Sequence, residues 1–361
     1  NLKKFDLKYF NIIFLIISLL ILHSNRLPPH QYSYIGLLSF LIPLIIACNF
    51  IILIFWLRKL SYHAILPFVA LLFGIRFMLA TVAFNFKDRE AMPEDITLLS
   101  YNVRGFNANT EGHDNRIEAS KAMIDWVVEN DADIKCFQEF YSHQSLDRLK
   151  TIEKIAREGV YDYHISYAGD EHKNARLIKG IAIFSKYPII EHGEIDLKSF
   201  FPINKGTYAD IDINGDTIRV ISVHLSSMSI KERNLLKKEF DEVKQNYKDV
   251  ASRLHTGIRT RSRQIVEVER IIQESPYKVI LCGDLNELPY GYTYYRFRKT
   301  LKNAFEEAGK GFGFTYNGML FFLRIDHIFY DPAIEATQYT TFRKVKYSDH
   351  FPIQGTFSLK K

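Results

Sequence analysis

The pattern of apolar and polar positions divides the chain near residue 90. Before that point apolar residues come in long blocks without a period. Residues 35–57 contain no Asp, Glu, Lys, Arg or His, and residues 64–86 contain one charge, Arg76. A helix that crosses a bilayer needs about 20 such residues. The block at 9–22 is shorter and reads as a thin or tilted span, or as the apolar core of an uncleaved signal. No small-x-small cleavage pattern follows it in residues 23–29. The pattern therefore predicts a membrane segment over residues 1–90, with three helices at about 9–23, 35–57 and 64–86.

After residue 91 the pattern becomes periodic. Residues 96–102 predict a strand that ends on a polar side chain, Asn102. Ile117, Met123, Ile124, Val127 and Val128 recur at helical spacing within 116–130. Residues 134–138 predict a short strand ending at Glu139, and 180–185 predict another. Strands at 208–213 and 217–225 are joined by Asn214-Gly215, a strong hairpin signal. Residues 229–275 predict two helices with a break near His255-Thr256-Gly257. A strand at 278–282, a helix at 292–300 and strands at 325–330 and 351–357 follow. Strands and helices mixed around one core predict an α/β fold, a two-sheet sandwich flanked by helices, over residues 91–361.

Charge refines this division. Residues 1–90 hold nine Lys and Arg against three Asp and Glu, so the whole net charge of +6 belongs to them. The remainder is neutral and lacks the global field that attracts nucleic acid. Lys3, Lys4 and Lys8 precede the first apolar block, Arg58 and Lys59 separate the second from the third, and the intervening loop holds Arg26 alone. The positive-inside rule then puts the N-terminus in the cytoplasm and the chain after residue 86 outside. Arg76 is expected to snorkel or to pair with a neighbouring helix. Trp56 and Tyr62 fit interfacial anchors. Cys48, Cys136 and Cys282 have the spacing of neither a zinc site nor a disulfide framework and read as small buried hydrophobes.

Chemistry collects at strand ends: Asn102, Glu139, His224, Asp284 with Asn286, Asp326, and Asp349-His350. If the strand continues past Gly283, Asp284 and Asn286 face the same side. Carboxylates with carboxamides suit a hard, oxygen-preferring ion, Mg2+ or Mn2+. Two histidines can supply acid and base at neutral pH. The set points to metal-assisted attack of water on a phosphate ester.

The ordered motifs LLSYNVRGFN, CFQEF, GIAIFSKYPI, ISVHL, VILCGDLNELP, RIDHIFY and YSDHFPI resemble the endonuclease/exonuclease/phosphatase superfamily over about residues 96–357. The chain looks like a membrane-anchored, bacterial-type member of that superfamily. The resemblance implies the superfamily's fold, that of deoxyribonuclease-I-type nucleases, apurinic-site endonucleases, neutral sphingomyelinases and inositol polyphosphate 5-phosphatases. The resemblance implies that Glu139 binds the divalent ion, assisted by Asn102, which also contacts the phosphate, with Asp349 near the metal. It implies that Asp284 activates or orients the water and that Asn286 contacts the phosphate. It pairs His350 with Asp326, and makes His224 a general acid or phosphate ligand. Whether Asp284 or His350 is the base stays open. Lys135 departs from the apolar residue common before the QE motif and questions the burial of that strand. The basic segment Arg253, His255, Arg259, Arg261, Arg263 is either a phosphate site or a solvated helix face balanced by Glu267 and Glu269. Residues 311–314 read as a loop beside the site.

The expected activity is hydrolysis of a phosphate ester by a membrane-held phosphodiesterase, with nucleic acid or a lipid headgroup as substrate. A true nuclease on extracellular DNA or RNA, a sphingomyelinase-like phospholipid hydrolase and a non-enzymatic binding protein are the alternatives. The sequence points to the membrane as a partner and to no particular protein.

Overall fold

A computed structural model describes residues 7–32, 34–85, 92–108, 114–168, 177–199, 204–227 and 240–359. Lys3, Lys4, the last residue of the third predicted span and the start of the helical region at 229–239 lie outside the described residues.

Three apolar helices come first: α1 (Leu7–His23), α2 (Ile42–Arg58) and α3 (Ile65–Thr81). Each belongs to a helical stretch long and apolar enough to cross a membrane. Arg76 on α3 donates to Leu22 O at 2.9 Å and to Asn25 Oδ1 at 3.1 Å, so it pairs with the neighbouring helix. The third helix is shorter than its apolar block. It stops at Thr81 and the chain extends as β1 (Val82–Phe84).

The rest is built on two six-stranded sheets. The strands are β2 (Ile96–Asn102), β3 (Ile134–His143), β4 (Tyr163–Ala168), β5 (Leu177–Ser185), β6 (Ile189–Ile195), β7 (Gly206–Ile213), β8 (Asp216–His224), β9 (Lys278–Asp284), β10 (Lys302–Asn303), β11 (Lys310–Phe312), β12 (Asp326–Tyr330), β13 (Glu335–Thr341) and β14 (Ile353–Ser358). The first sheet runs β13-β14-β2-β3-β5-β4 and the second β10-β12-β9-β8-β7-β6. Between them lies a core that includes Ile96, Leu98, Cys136, Ile183, Val220, Ile280, Cys282 and Ile353. Cys136 and Cys282 are free and buried in it. Each fully buried aliphatic side chain contributes about 1.5–3 kcal/mol relative to exposure.

Helices cover the outer faces. α4 (Asp114–Glu129) and α5 (Thr151–Glu158) pack on the first sheet, α6 (Phe240–Gln273) and α7 (Tyr292–Arg298) on the second. A short α8 (Ala304–Ala308) completes the set. Asn214 and Gly215 turn the β7–β8 hairpin with φ of 55° and 96°, the left-handed pair that a tight hairpin requires.

Three expectations are corrected. The helix through Gly257 is unbroken, since one interior glycine costs only about 1 kcal/mol. The segment between α1 and α2 braces it: Tyr34 stacks on His255 at 4.3 Å and His30 meets Ser262 at 3.1 Å. Arg261, assigned to a phosphate site or a solvated face, is fully buried and paired with Glu287 at 3.1 Å. Lys135 does not mark an exposed strand. It is fully buried, and its Nζ donates to Val127 O at 2.5 Å, at the carbonyl end of α4, while lying 4.5 Å from the Tyr161 ring centroid.

Candidate active site

Both sheets carry one central parallel pair, β2 with β3 and β8 with β9. Parallel neighbours run toward the same edge, so Asn102, His224 and Asp284 gather there at strand ends; Glu139, expected to end a short strand, lies inside β3, which runs on to His143. β12 runs antiparallel to β9, with Asp326 opposite Asp284, so its first residue arrives at that edge too. β14 runs antiparallel to β2, which brings the preceding Ser348-Asp349-His350 to the same place.

Glu139 reaches the site through a bulge. The β3–β5 register shifts between Phe137 and Phe140, and Glu139 has φ 49°. Phe137 and Phe140 both pack in the outer, helix-side core. The extra residue frees Glu139 from the pleat, which would otherwise turn it to the Phe137 side. Gln138 faces inward and ties the sheets together: its Nε2 donates to Ser222 Oγ at 3.1 Å and Ser100 Oγ at 3.3 Å.

Asp284 is the hub. Its Oδ2 accepts from Asn102 Nδ2 at 3.1 Å, with His224 Nε2 at 3.5 Å and His350 Nε2 at 3.7 Å. Asn102 Nδ2 also donates to Glu139 Oε1 at 3.3 Å, and His224 Nε2 lies 3.8 Å from the same oxygen. Asn102 Oδ1 accepts from Arg104 N at 3.0 Å. The strand does not continue to Asn286, which has φ 50°. Instead Asn286 N donates to Asp284 Oδ1 at 2.8 Å in an Asx turn, and Asn286 Nδ2 donates to Leu225 O at 3.0 Å. Gly283, at φ 134°, is required: a Cβ there would sit 2.0 Å from Val223 O.

His350 Nδ1 meets Asp326 Oδ2 at 2.9 Å and Oδ1 at 3.1 Å. Burial opposes charge on His350, but the Asp326 and Asp284 carboxylates outweigh it and raise its pKa to about 10. Asp349 stands at the rim, with Oδ2 3.6 Å from Arg104 Nε. Sequence reasoning passed over the supports of this cluster. Ser348 Oγ donates to Asn102 O at 2.8 Å, Thr315 Oγ1 accepts from Asp326 N at 3.1 Å, and the Tyr316 ring meets the His350 ring edge-on at 5.7 Å. Only the fold brings these separate segments together. His327, one residue from Asp326, faces away: its Nε2 meets Glu287 O at 3.1 Å, and burial, reinforced by Arg324, holds its pKa well down.

Asp284, Asp326 and His350 each bring one ligand atom within 4.8 Å of the others, a buried cluster consistent with a divalent-metal site. Glu139 adds a half-buried carboxylate beside it. Oxygen donors predominate, as a hard divalent cation requires, so the residues fit the ion.

A mixed two-sheet α/β sandwich with acid, amide and imidazole groups on one edge defines a metal-dependent phosphoesterase. The family profile for the endonuclease/exonuclease/phosphatase family matches residues 99–350. The chain belongs to that family, and it is a metal-dependent hydrolase of phosphate esters. A second profile, a domain of unknown function (DUF8431), matches residues 5–81.

Among solved structures, the fold is similar to the endonuclease/exonuclease/phosphatase from Bacteroides vulgatus, with TM-score 0.54 and 15% identity over 74% of this chain and 99% of that one. It is also similar to a functionally unknown conserved protein from Enterococcus faecalis, with TM-score 0.52 and 15% identity over 73% and 99%. A family protein from Leptotrichia buccalis gives TM-score 0.50 and 17% identity over 73% and 99%. These identities speak for the fold alone. No curated protein sequence matches the chain.

Proposed function

We propose that the protein is a membrane-anchored phosphodiesterase that uses Mg2+ or Mn2+, of the deoxyribonuclease-I-like type, with its catalytic part (residues 91–361) on the extracytoplasmic side of a membrane segment (residues 1–90). The observation that carries the chemistry is the convergence of Asn102, His224 and His350 on the single oxygen Asp284 Oδ2. Donors already aimed at one anionic oxygen are poised to hold a phosphoryl group and the water that attacks it.

Glu139, with Asn102 orienting its carboxylate and Asp349 at the rim, would hold the ion; when bound, the ion supplies Lewis-acid stabilisation of phosphoryl charge. His350 Nδ1 and Asp326 are already engaged with each other, which favours keeping that pair for phosphate and proton work. Asp326 is then a positioning residue that fixes the imidazole tautomer and supports its cationic form. His350 and His224 donate to phosphoryl oxygens or the leaving alkoxide. Asp284 orients the water, and Asn286 stiffens the turn beside it and contacts the phosphate.

Sidedness rests on charge and helix order. The ends of α1 and α3 near Leu22 and Phe77 and the start of α2 at Ile42 pack together with Tyr290 of the catalytic part, as three alternating spans require. Arg58 and Lys59 lie at the opposite end of α2.

The test is cleavage of bis-p-nitrophenyl phosphate by the full chain, with Mg2+ and with EDTA, beside Glu139→Ala and His350→Ala. Metal-dependent turnover lost in both folded variants is expected. Turnover that survives EDTA and both substitutions would overturn the reading.

A further inference from the structure

Beside the active site the chain displays aromatic side chains to solvent. Phe312, Phe321 and Phe322 are 52%, 65% and 52% exposed, and residues 311–323 carry no charge. Large exposed aromatics in an uncharged stretch mark an interaction surface.

Both ends of this stretch are fastened to the end of α3. β1 follows Thr81 directly and pairs with β11, Val82 standing opposite Phe312. Paired strands lie about 4.8 Å apart, so Phe312 is level with the first residue beyond the helix. At the other end, Arg324 donates to Ala80 O, in the last turn of α3, at 2.7 Å. Between these anchors the loop closes on itself: Thr315 N and Tyr316 N donate to Leu323 O at 2.9 and 3.2 Å. With α3 as a span, this is the level of the bilayer surface.

The loop's inner side is the active site. Tyr316 forms a bridge with His350, and Thr315 Oγ1 accepts from the backbone of Ile325 and Asp326. The end of the third span, the aromatic loop and the His350–Asp326 pair are one continuous structure.

We propose that residues 312–322 rest in the bilayer surface and that the active site takes its substrate from there, a phosphodiester lipid held in the same membrane. This rests on the hydrolase and membrane readings above. The reaction is hydrolysis: a bond forms between water oxygen and phosphorus, the ester P–O bond breaks, and a proton passes to the departing oxygen. No other reactant is needed. Aromatics also stack nucleobases, but a nucleic-acid groove joins them to cations that track the backbone. This stretch carries none of its own, Arg343 beside it is engaged by Phe312 O and the Phe314 ring, and the chain after residue 90 is neutral.

The experiment uses the full chain in phospholipid vesicles. In one arm, Phe321→Trp is read by quenching with brominated phospholipid, against Ile190→Trp on β6 and the background of Trp56 and Trp126. In the other, the double variant Phe321→Ser/Phe322→Ser is assayed on vesicles of phosphatidylcholine, phosphatidylglycerol and sphingomyelin, on a single-stranded oligonucleotide, and on bis-p-nitrophenyl phosphate. Quenching is expected at position 321 and not at 190. Lipid cleavage should fall about tenfold or more in the double variant, as loss of two buried aromatic contacts implies, while bis-p-nitrophenyl phosphate turnover stays near wild type. An unquenched Trp at 321, or undiminished lipid cleavage by the double variant, overturns the proposal; so does loss of oligonucleotide cleavage in place of lipid cleavage. If bis-p-nitrophenyl phosphate is not turned over at all, the hydrolase reading fails separately, and the quenching arm still decides whether the loop enters the bilayer.

Discussion

The hydroxyl of Thr81, the last residue of α3, lies 2.7 Å from Tyr290 Oη, four residues beyond Asn286 in the turn that follows β9. Leu288 and Tyr290 also pack against Ile21, Leu22, Ile42 and Phe77 of the apolar helices. The segment that carries Asp284 and Asn286 is thus braced from one side by the helical unit. From the other side Arg261 holds Glu287, and His327 holds the Glu287 carbonyl. Removing residues 1–81 would strip one side of that support and expose two side chains whose burial contributes about 1.5–3 kcal/mol each. The shortened chain should show faster amide exchange across residues 285–291 and weaker turnover. Tyr290→Phe in the full chain should cost about 1 kcal/mol or less, the value of one hydrogen bond. Exchange equal to that of the full chain would show that the brace is idle.

Glu139 and Asp326 should separate in their effects. Glu139→Ala removes the carboxylate assigned to the ion and should raise the Mg2+ concentration for half-maximal activity by more than the roughly 10–100-fold that loss of an outer-shell partner costs, so that turnover is lost at the Mg2+ level that saturates the wild type. Asp326→Asn leaves that carboxylate in place but removes the partner that fixes the imidazole of His350. It should lower kcat by about 10²–10⁴-fold with little change in metal dependence. Metal titration of activity and direct Mn2+ binding both read the difference. If Asp326→Asn abolishes Mn2+ binding while Glu139→Ala spares it, the ion sits in the Asp284–Asp326–His350 cluster instead.

Gln138 and Gly283 are structural requirements of the motifs that contain them. Gln138→Ala would leave two buried hydroxyls, Ser100 and Ser222, without their shared amide, at a cost of about 1–3 kcal/mol. Gly283→Ala would drive a Cβ into the Val223 carbonyl at an unfavourable φ, which should cost more than about 4 kcal/mol. Chemical unfolding of the two variants should rank them in that order, and equal stability would contradict the close approach of β8 and β9.

Much of this architecture was legible because it rests on local pattern. Alternation and apolar runs marked β2, β7, β8, β9 and β12, and Asn214-Gly215 marked its hairpin. The polar strand ends marked the edge where residues distant in sequence meet. Other features were hidden because they depend on tertiary context. The bulge that aims Glu139 is set by the pairing of β3 with β5, and the Asx turn at Asn286 by the end of β9. Edge strands β4, β6 and β13 lack a strong alternation and form by joining sheets already present. Gly257 suggested a break, but packing against His30, Tyr34 and Gly36 outweighs its weak helix propensity. The pairing of β1 with β11 spans more than two hundred residues and left no trace in either segment.

Lys135 gives the chain a pH-dependent weakness away from the active site. Burial, with a smaller contribution from Lys186, pushes its pKa down from 10.5 to about 7. The unfolded chain keeps the ordinary value. Between about pH 7 and 10.5 the unfolded state therefore binds a proton that the folded state does not, and stability rises with pH. Below about pH 7 both states are protonated and the penalty is constant. Lys135→Met keeps the side-chain length without the charge. It gives up the bond to Val127 O, and leaving that buried carbonyl unpaired offsets part of the gain, by about 1–3 kcal/mol. The variant should be more stable than wild type by an amount on the order of 2–3 kcal/mol near pH 7, with the advantage shrinking toward pH 10. Apparent melting temperatures of the two proteins across that range test this directly. A constant difference with pH would mean that Lys135 stays charged in the folded protein, held by the end of α4 and the face of Tyr161.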